Sequence, residues 1–263
     1  MKKTRLDVLL FERGLTESRE KARATVMSGV VFVNGRRADT PGSSVPDDCD
    51  IEVRGGTLKY VSRGGYKLER ALDAFAIAPE GKLCLDCGAS TGGFTDCLLQ
   101  RGAARVYAVD VGYGQLAWSL RQDGRVVSIE RANARYLTRA QIPETPSLAV
   151  IDVSFISLSL ILPVVRGLAA RDAEAVCLIK PQFEAGRDRV GKKGVVRDAE
   201  THVEVLDGFV KNAGNAGFSV RGITYSPIKG PEGNIEFLGY LGTGESAGLD
   251  TRGLVGEAHE ALR

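Results

Sequence analysis

The chain has no apolar run long enough to cross a bilayer. Its longest, Phe155 to Val165, contains Ser157, Ser159 and Pro163 and falls short of the ~18 residues a spanning helix needs. No secretion signal is expected, because Asp7, Glu12 and Arg13 interrupt the apolar stretch one would require after the basic start Met1-Lys2-Lys3-Thr4-Arg5. A cytoplasmic protein without a membrane partner is expected. Histidine is nearly absent, with His202 and His259 alone, so imidazole chemistry has little to work with. Cysteines stand at 49, 84, 87, 97 and 177 and form no paired framework of the secreted kind. Cys84 and Cys87 have Cys-x-x-Cys spacing, yet on a strand they point to opposite faces and no second pair joins them. Buried structural thiols are expected, and no metal. There is no internal repeat or low-complexity tract, and 43 % apolar with 26 % charged residues is the balance of an ordered globular protein. A length of 263 residues allows two cores.

What the chain does have is uneven charge. Residues 1–40 hold nine Lys or Arg against five Asp or Glu, although the net charge is only +2. An acidic polymer suits such an end, and so does a solvated charged face. The same region reads as a small α+β unit. A first helix covers Leu6 to Phe11. Ser18 caps a second, with Arg19, Lys21 and Arg23 on one side and Ala22, Val26 and Met27 on the other. Val30 to Val33 leads into the hairpin signal Asn34-Gly35, and Asp50 to Val53 alternates as a closing strand. Arg5-Leu6-Asp7, Ser18-Arg19-x-x-Ala22 and Val31-x-Val33-Asn34-Gly35, in this order, resemble the S4 RNA-binding domain. That resemblance implies phosphate contacts by Arg5, Arg19, Lys21, Arg23 and Arg36 on one face. The expected divisions are an S4-like unit over 1–56, a linker over 57–66, a catalytic domain over 67–243 and a tail over 244–263 ending in a weak helix, Leu254 to Leu262.

From Lys82 onward strands near 83–87, 105–110, 126–130, 148–152, 175–180, 218–225 and 235–241 alternate with helical stretches. The pattern predicts an α/β fold with a mostly parallel seven-stranded sheet covered on both faces, and a ligand at the carboxyl ends of the strands. Leu83-Cys84-Leu85-Asp86-Cys87-Gly88-Ala89-Ser90-Thr91-Gly92-Gly93-Phe94 is the clearest ligand signal. A short strand enters a glycine-rich turn and then a helix whose free N–H groups suit an anionic ligand group. Ser90 replaces the second glycine of a dinucleotide fingerprint and no Gly-Lys-Ser/Thr follows, so NAD and ATP are disfavoured. Asp86, two residues before the first glycine, is similar to the opening motif of methyltransferases that use S-adenosylmethionine (SAM). The loop alone leaves another nucleotide-binding fold and a plain structural turn open.

Asp110 follows about twenty residues later at a strand end, where it can accept hydrogen bonds from ribose hydroxyls. Asn133 is placed to meet an adenine edge or to form a turn. Asp152 ends the fourth strand without the Asp/Asn-Pro-Pro-aromatic sequence of amino-group methyltransferases and without a following cysteine nucleophile, which leaves a hydroxyl as acceptor. Lys180, at the end of an apolar strand, asks for a purpose. A lysine acts as a base when desolvation or a neighbouring cation lowers its pKa, and Lys67 can be that neighbour, Asp152 its holder and Glu236 an orienting group. Taken singly, each could equally be half of an ordinary salt bridge.

The order Lys67, Asp152, Lys180, Glu236 resembles the Lys-Asp-Lys-Glu set of FtsJ-like RNA ribose 2′-O-methyltransferases. Together with the S4-like start it is similar to the TlyA family of ribosomal RNA methyltransferases, also labelled haemolysins. Ser62-Arg63-Gly64, Asp110 to Leu116, Asp152 to Leu158, Lys180 to Glu184, Gly194 to Asp198 and Ser226 to Glu236 carry the likeness along the chain. It implies a Rossmann-like SAM-dependent methyltransferase acting on cytidine ribose in large-subunit RNA, in some members also the small-subunit RNA, with ribosomal RNA or subunits as partner. Lys180 would be the general base. SAM would lie against Asp86, Gly88, Ala89, Ser90, Thr91, Gly92, Gly93, Asp110, Val111, Asn133 and Ala134. Leu58-Lys59-Tyr60-Val61 stands where some members have Arg-x-Trp-Val, and other FtsJ-like enzymes often have an acidic residue at the position of Asn133. The rival expectations are a membrane-acting haemolysin and a non-enzymatic RNA-binding assembly factor on the same fold.

Overall fold

The computed structural model describes residues 3–27, 29–53 and 59–263. The expected boundary at residue 56 and the start of the linker, with Leu58, lie outside the described residues.

The N-terminal elements are β1 (Lys3–Arg5), α1 (Leu6–Glu12), α2 (Arg19–Met27), β2 (Val31–Val33), β3 (Arg36–Arg37), β4 (Ser44–Pro46) and β5 (Ile51–Val53). Ser18 does cap α2: its Oγ accepts the Lys21 N–H at 3.1 Å. Asn34 and Gly35 both take positive φ, 49° and 74°, the two-residue turn that matches strand twist, and β2 pairs with β3 on one side and β5 on the other. Leu6, Leu10, Ala22, Val26 and Val31 are fully buried in a core belonging to these elements. One expectation needs correction. At 100° per residue Lys21 lies about 160° from Arg23 around α2, so it faces away from Arg19 and Arg23, while Met27, 52 % exposed, shares their side.

The rest is α3 (Gly64–Ala74), β6 (Leu83–Cys87), α4 (Gly93–Gln100), β7 (Arg105–Val109), α5 (Trp118–Arg121), β8 (Val126–Ile129), β9 (Leu148–Ile151), α6 (Leu162–Leu168), β10 (Glu174–Ile179), α7 (Pro181–Glu184), α8 (Ala199–Asn215), β11 (Ser219–Tyr225), β12 (Phe237–Gly242) and α9 (Thr251–Ala261). Seven strands pair in the order β11-β12-β10-β9-β6-β7-β8, and only β12 runs antiparallel to its neighbours. The chain leaves β6 toward β7 and β8 and returns to β9 on the other side, so the crevice between β6 and β9 is the switch point where such sheets bind ligands. Apolar side chains cover both faces. Leu85 and Cys87 join one core, Cys84 the other, and all five thiols are buried and free.

Asp110, Asp152, Lys180 and Glu236 each lie one residue beyond a strand terminus, where the ladder ends and a polar side chain reaches the rim. The C-terminal segment is better integrated than a tail. Asp250 caps α9, which starts earlier than expected, and Val255 and Ala258 are buried in the core beside α8. The two histidines meet here, His202 Nδ1 lying 2.9 Å from His259 Nε2, and burial holds His202 down to about 4, so it is neutral near pH 7. Among the described residues no helix is long and apolar enough to cross a membrane. Val255→Ala removes a buried side chain that is 1 % exposed, and should lower stability by about 2 kcal/mol in denaturant unfolding without altering the secondary-structure content read by circular dichroism.

Candidate active site

The turn after β6 is built around Gly88. Its φ is +89°, and a Cβ there would stand 2.4 Å from the carbonyl oxygen of Asp152, so the end of β9 can approach the turn only if the side chain is missing. Gly88 and Ala89 both donate their N–H groups to Val109 O, at 2.9 and 3.0 Å, which fastens the turn to the end of β7. In front of it opens a cleft of about 690 Å³. Gly88, Ser90, Asp110, Val111, Asn133 and Ala134 from the expected cofactor set line it, with Asp152 on the opposite lip.

Ala89, Thr91, Gly92 and Gly93 do not line this cleft. Gly92 opens α4 at φ +97° against Leu116 and Leu120, and Gly93 lies against Ser62 and Gly65. These residues shape the turn from behind, and the beginning of α4 is covered by the segment leading into α3. An anionic ligand group therefore has less access to that helix end than the sequence suggested. The charges around the cleft also oppose it. Asp110 accepts N–H groups from Ser90 at 2.8 Å and Gly112 at 2.7 Å, leaving further lone pairs toward the cleft. Asp86 is fully buried behind Gly88. One oxygen accepts the Thr95 hydroxyl at 2.6 Å and the other, Oδ1, is buried without a hydrogen-bond partner among the described residues. Burial, reinforced by the nearby Asp152 and Asp110 carboxylates, pushes the Asp86 carboxyl up to about 7. Three carboxylates around one glycine turn favour a ligand with positive centres.

Asn133 accepts the Arg135 N–H at 2.9 Å through Oδ1 and so caps a short 3-10 turn, with its amide nitrogen still available at the cleft.

Beside the cleft the four charged residues come together. Lys67, on the buried face of α3, places Nζ 2.5 Å from Glu236 Oε2, across 169 residues of chain. Lys180 Nζ lies 2.5 Å from Asp152 Oδ1 and donates to Ser154 Oγ at 2.9 Å. Glu236 feels Lys67, Asp152 and Lys180, so the two pairs form one cluster, and burial pushes its carboxyl up despite the adjacent amine. Glu236 Oε1 is buried without a hydrogen-bond partner among the described residues.

The family model described as FtsJ-like methyltransferase matches residues 60–243, and the S4 domain model matches residues 4–48. The chain belongs to the FtsJ-like methyltransferase family. It is 51 % identical over 270 residues to YqxC of Bacillus subtilis, covering 100 % of this chain and 96 % of that protein. It is 46 % identical to the 16S/23S rRNA (cytidine-2′-O)-methyltransferase TlyA of Mycobacterium tuberculosis, over 99 % of this chain and 98 % of that one. A solved Streptococcus thermophilus protein bearing the name hemolysin superposes with a TM-score of 0.78 at 47 % identity, covering 99 % of this chain and 97 % of its own.

Around the charged cluster and its cleft lie residues the sequence did not single out. Ser154 takes the hydrogen bond of Lys180. Phe155 stands in the cleft wall at φ +64° and 91 % exposed, its ring 5.0 Å from that of Phe183. Glu184 holds this segment to α7 by accepting the Ser157 hydroxyl at 2.7 Å and the Leu158 N–H at 2.8 Å. An aromatic three residues after Asp152 was a readable signal, since amino-group methyltransferases carry one at that spacing.

The expected RNA-binding set divides. Arg5, Arg19 and Arg23 line a second groove, of about 650 Å³, that Trp118 and Arg121 border from the other side. The Glu20 carboxylate, which accepts the Trp118 N–H, closes it. Arg5 is held there by a two-point pairing with the buried Asp7, at 2.9 and 2.8 Å. Lys21 pairs with Glu17 instead, and neither it nor the exposed Arg36 of β3 lines this groove. The single basic face expected from the sequence is therefore three arginines wide.

Gly88→Ala should destabilise the protein by more than about 3 kcal/mol, from the strained φ and the collision with a backbone carbonyl. Gly81→Ala, at φ +69° in open space, should cost only about 1 kcal/mol. Equal losses in chemical denaturation would show that the carbonyl contact does not constrain the turn.

Proposed function

We propose that this chain transfers a methyl group from SAM to a ribose 2′-hydroxyl of ribosomal RNA, at a cytidine, as the name of its M. tuberculosis relative says of that enzyme. The observation that carries the reading is the buried pairing of Lys180 with Asp152 and Lys67 with Glu236 beside the Gly88 cleft. In this reading residues 1–56 grip RNA, 57–66 link, and 67–243 catalyse, with α9 bracing the catalytic part.

The residues around the cleft fit SAM. Asp110 would accept from its ribose hydroxyls, the Asn133 amide would meet adenine, and the carboxylates of Asp86 and Asp152 favour its positive centres. When bound, SAM supplies a methyl group on a positively charged sulfur. Lys180 Nζ, held by Asp152 and Ser154, would act as base in its neutral form, having given up its own proton before the substrate enters: it would take the proton of the 2′-hydroxyl, and Asp152 would stabilise the ammonium that results. Glu236, fully buried behind the cleft, holds Lys67 in place beside the other pair. The cluster sits at the foot of a cleft, so the target nucleotide has to leave its stack to reach it. Phe155 offers the unstacked base a ring, an arrangement worth about 1–3 kcal/mol per base.

Incubating the protein with labelled SAM and ribosomal subunits should yield 2′-O-methylated ribose, and Lys180→Ala should slow transfer roughly 100- to 10,000-fold while SAM still binds. Undiminished transfer by that variant would remove the proposed base, and methyl groups on bases would remove the reaction.

Cofactor affinity should also depend on pH. Asp86 titrates at about 7 in the free protein, so it is neutral below that pH and charged above it. A cationic ligand gains from the charge, and SAM should bind more tightly at pH 8 than at pH 6. Asp86→Asn should flatten that dependence in calorimetry; a wild-type affinity indifferent to pH would dismiss Asp86 as an electrostatic contributor.

A further inference from the structure

Between α7 and α8 the chain crosses Arg187, Arg189, Lys192, Lys193 and Arg197 against only Asp188 and Asp198. A solvated loop would suffice for that composition, but this loop is built. Gly191 donates to Val195 O at 3.1 Å and Gly194 to Gly191 O at 2.8 Å, closing a tight turn with Lys192 and Lys193 at its exposed tip. Asn234, only 2 % exposed, clamps the returning strand twice: Oδ1 accepts the Val196 N–H at 3.0 Å and Nδ2 donates to Gly194 O at 2.9 Å. Asn234 stands two residues before Glu236. At its other end the loop leaves α7, which begins directly after Lys180 and is tied through Glu184 to the Ser157–Leu158 segment. Both ends of the basic loop are thus anchored to elements that carry the reacting cluster. Arg189 pairs with Glu204, whereas Arg187, Lys192, Lys193 and Arg197 have no carboxylate partner among the described residues.

We propose that the Gly191–Gly194 turn is a phosphate clamp for the RNA strand that carries the target nucleotide, with Lys192 and Lys193 as its contacts and Asn234 as the positioning residue that sets its height above the cluster. The inference rests on the ribose-methylation reading for its substrate, and it assigns the catalytic part a grip on RNA separate from the arginines of α2. Lysines suit this task because an ammonium meets a phosphate as a point charge from any direction and reads no base. A tethered turn is needed because a free loop would lose much of that attraction to the entropy of ordering it.

The test is the salt dependence of binding to unmodified 23S rRNA transcript, measured with the full chain in the presence of SAM. Each phosphate contact to a single strand contributes about 0.7 to the slope of log affinity against log salt. Lys192→Ala/Lys193→Ala should therefore shallow the slope by about 1.4 and lower kcat/KM, with kcat at saturating RNA and SAM affinity unchanged. Lys192→Arg/Lys193→Arg should restore the wild-type slope. An unchanged slope in the alanine variant overturns the clamp and leaves ribose methylation standing. A shallower slope together with methyl groups on bases overturns ribose methylation and leaves the clamp.

Discussion

Lys67, Lys180 and Glu236, taken almost entirely out of water beside the half-buried Asp152, can persist only because each has an opposite charge within 2.5 Å. Desolvating a lone ion costs several kcal/mol even after relaxation, so the pairs are a condition of folding as well as of chemistry. The Lys67–Glu236 pair joins α3 to the residue ahead of β12, which pins the one reversed strand described in the seven-stranded sheet at the edge of the cluster. Lys180–Asp152 joins the ends of adjacent parallel strands. These two ties act in different directions, and together they hold a polar atom of each element at the same point. Glu236 itself is fully buried, and its Oε1 has no hydrogen-bond partner among the described residues.

The ring of Asp86, Asp110 and Asp152 sets the sign of the ligand in the same way. A glycine turn before a helix is commonly a phosphate seat, because helix N–H groups carry partial positive charge. Here the start of α4 is covered by Ser62 and Gly65, and three carboxylates stand around Gly88 instead. Their mutual repulsion is relieved by a cation, so a sulfonium with an amino group fits where a pyrophosphate would be repelled. The loop geometry selects a nucleoside-sized ligand and the electrostatics select its charge. Neither feature is sufficient alone.

Much of this was legible beforehand, for reasons that can be named. Strand-helix alternation after Lys82 and the Asn34-Gly35 hairpin are local signals, governed by side-chain periodicity and by backbone sterics, and both appear in the fold. The charged set was legible because a lysine or a glutamate bounding an apolar strand has no local excuse. What escaped reading depends on long-range packing. Thr91, Gly92 and Gly93 sit in the glycine loop by sequence, but which side of the loop meets the cleft is decided by Leu116, Leu120 and Ser62. Val255 and Ala258 form only a weak pattern until α8 supplies the surface they bury. Lys21 is a different failure, since helical periodicity alone puts it opposite Arg23. Phe155 stood at a readable spacing from Asp152 and was passed over because it sits in an apolar run, where an aromatic reads as core.

The placement of charge suggests how affinity and aim are divided. Arginines at the start of the chain and lysines at the Gly191–Gly194 turn are the proposed phosphate contacts, and contacts of that kind would fix an RNA without distinguishing one nucleotide from the next. Discrimination has to arise where the base and sugar are handled. The groups there are few: an exposed ring at Phe155 and the hydroxyl of Ser154. A ring accepts any base face and a hydroxyl reads little sequence, so this small set would not by itself select a nucleotide. The identity of the nucleotide must then follow mainly from the shape of RNA that lets both basic regions be met at once. A structured ribosomal RNA, in which the target stands at a defined distance from a folded landmark, satisfies that condition, whereas a short unstructured strand does not.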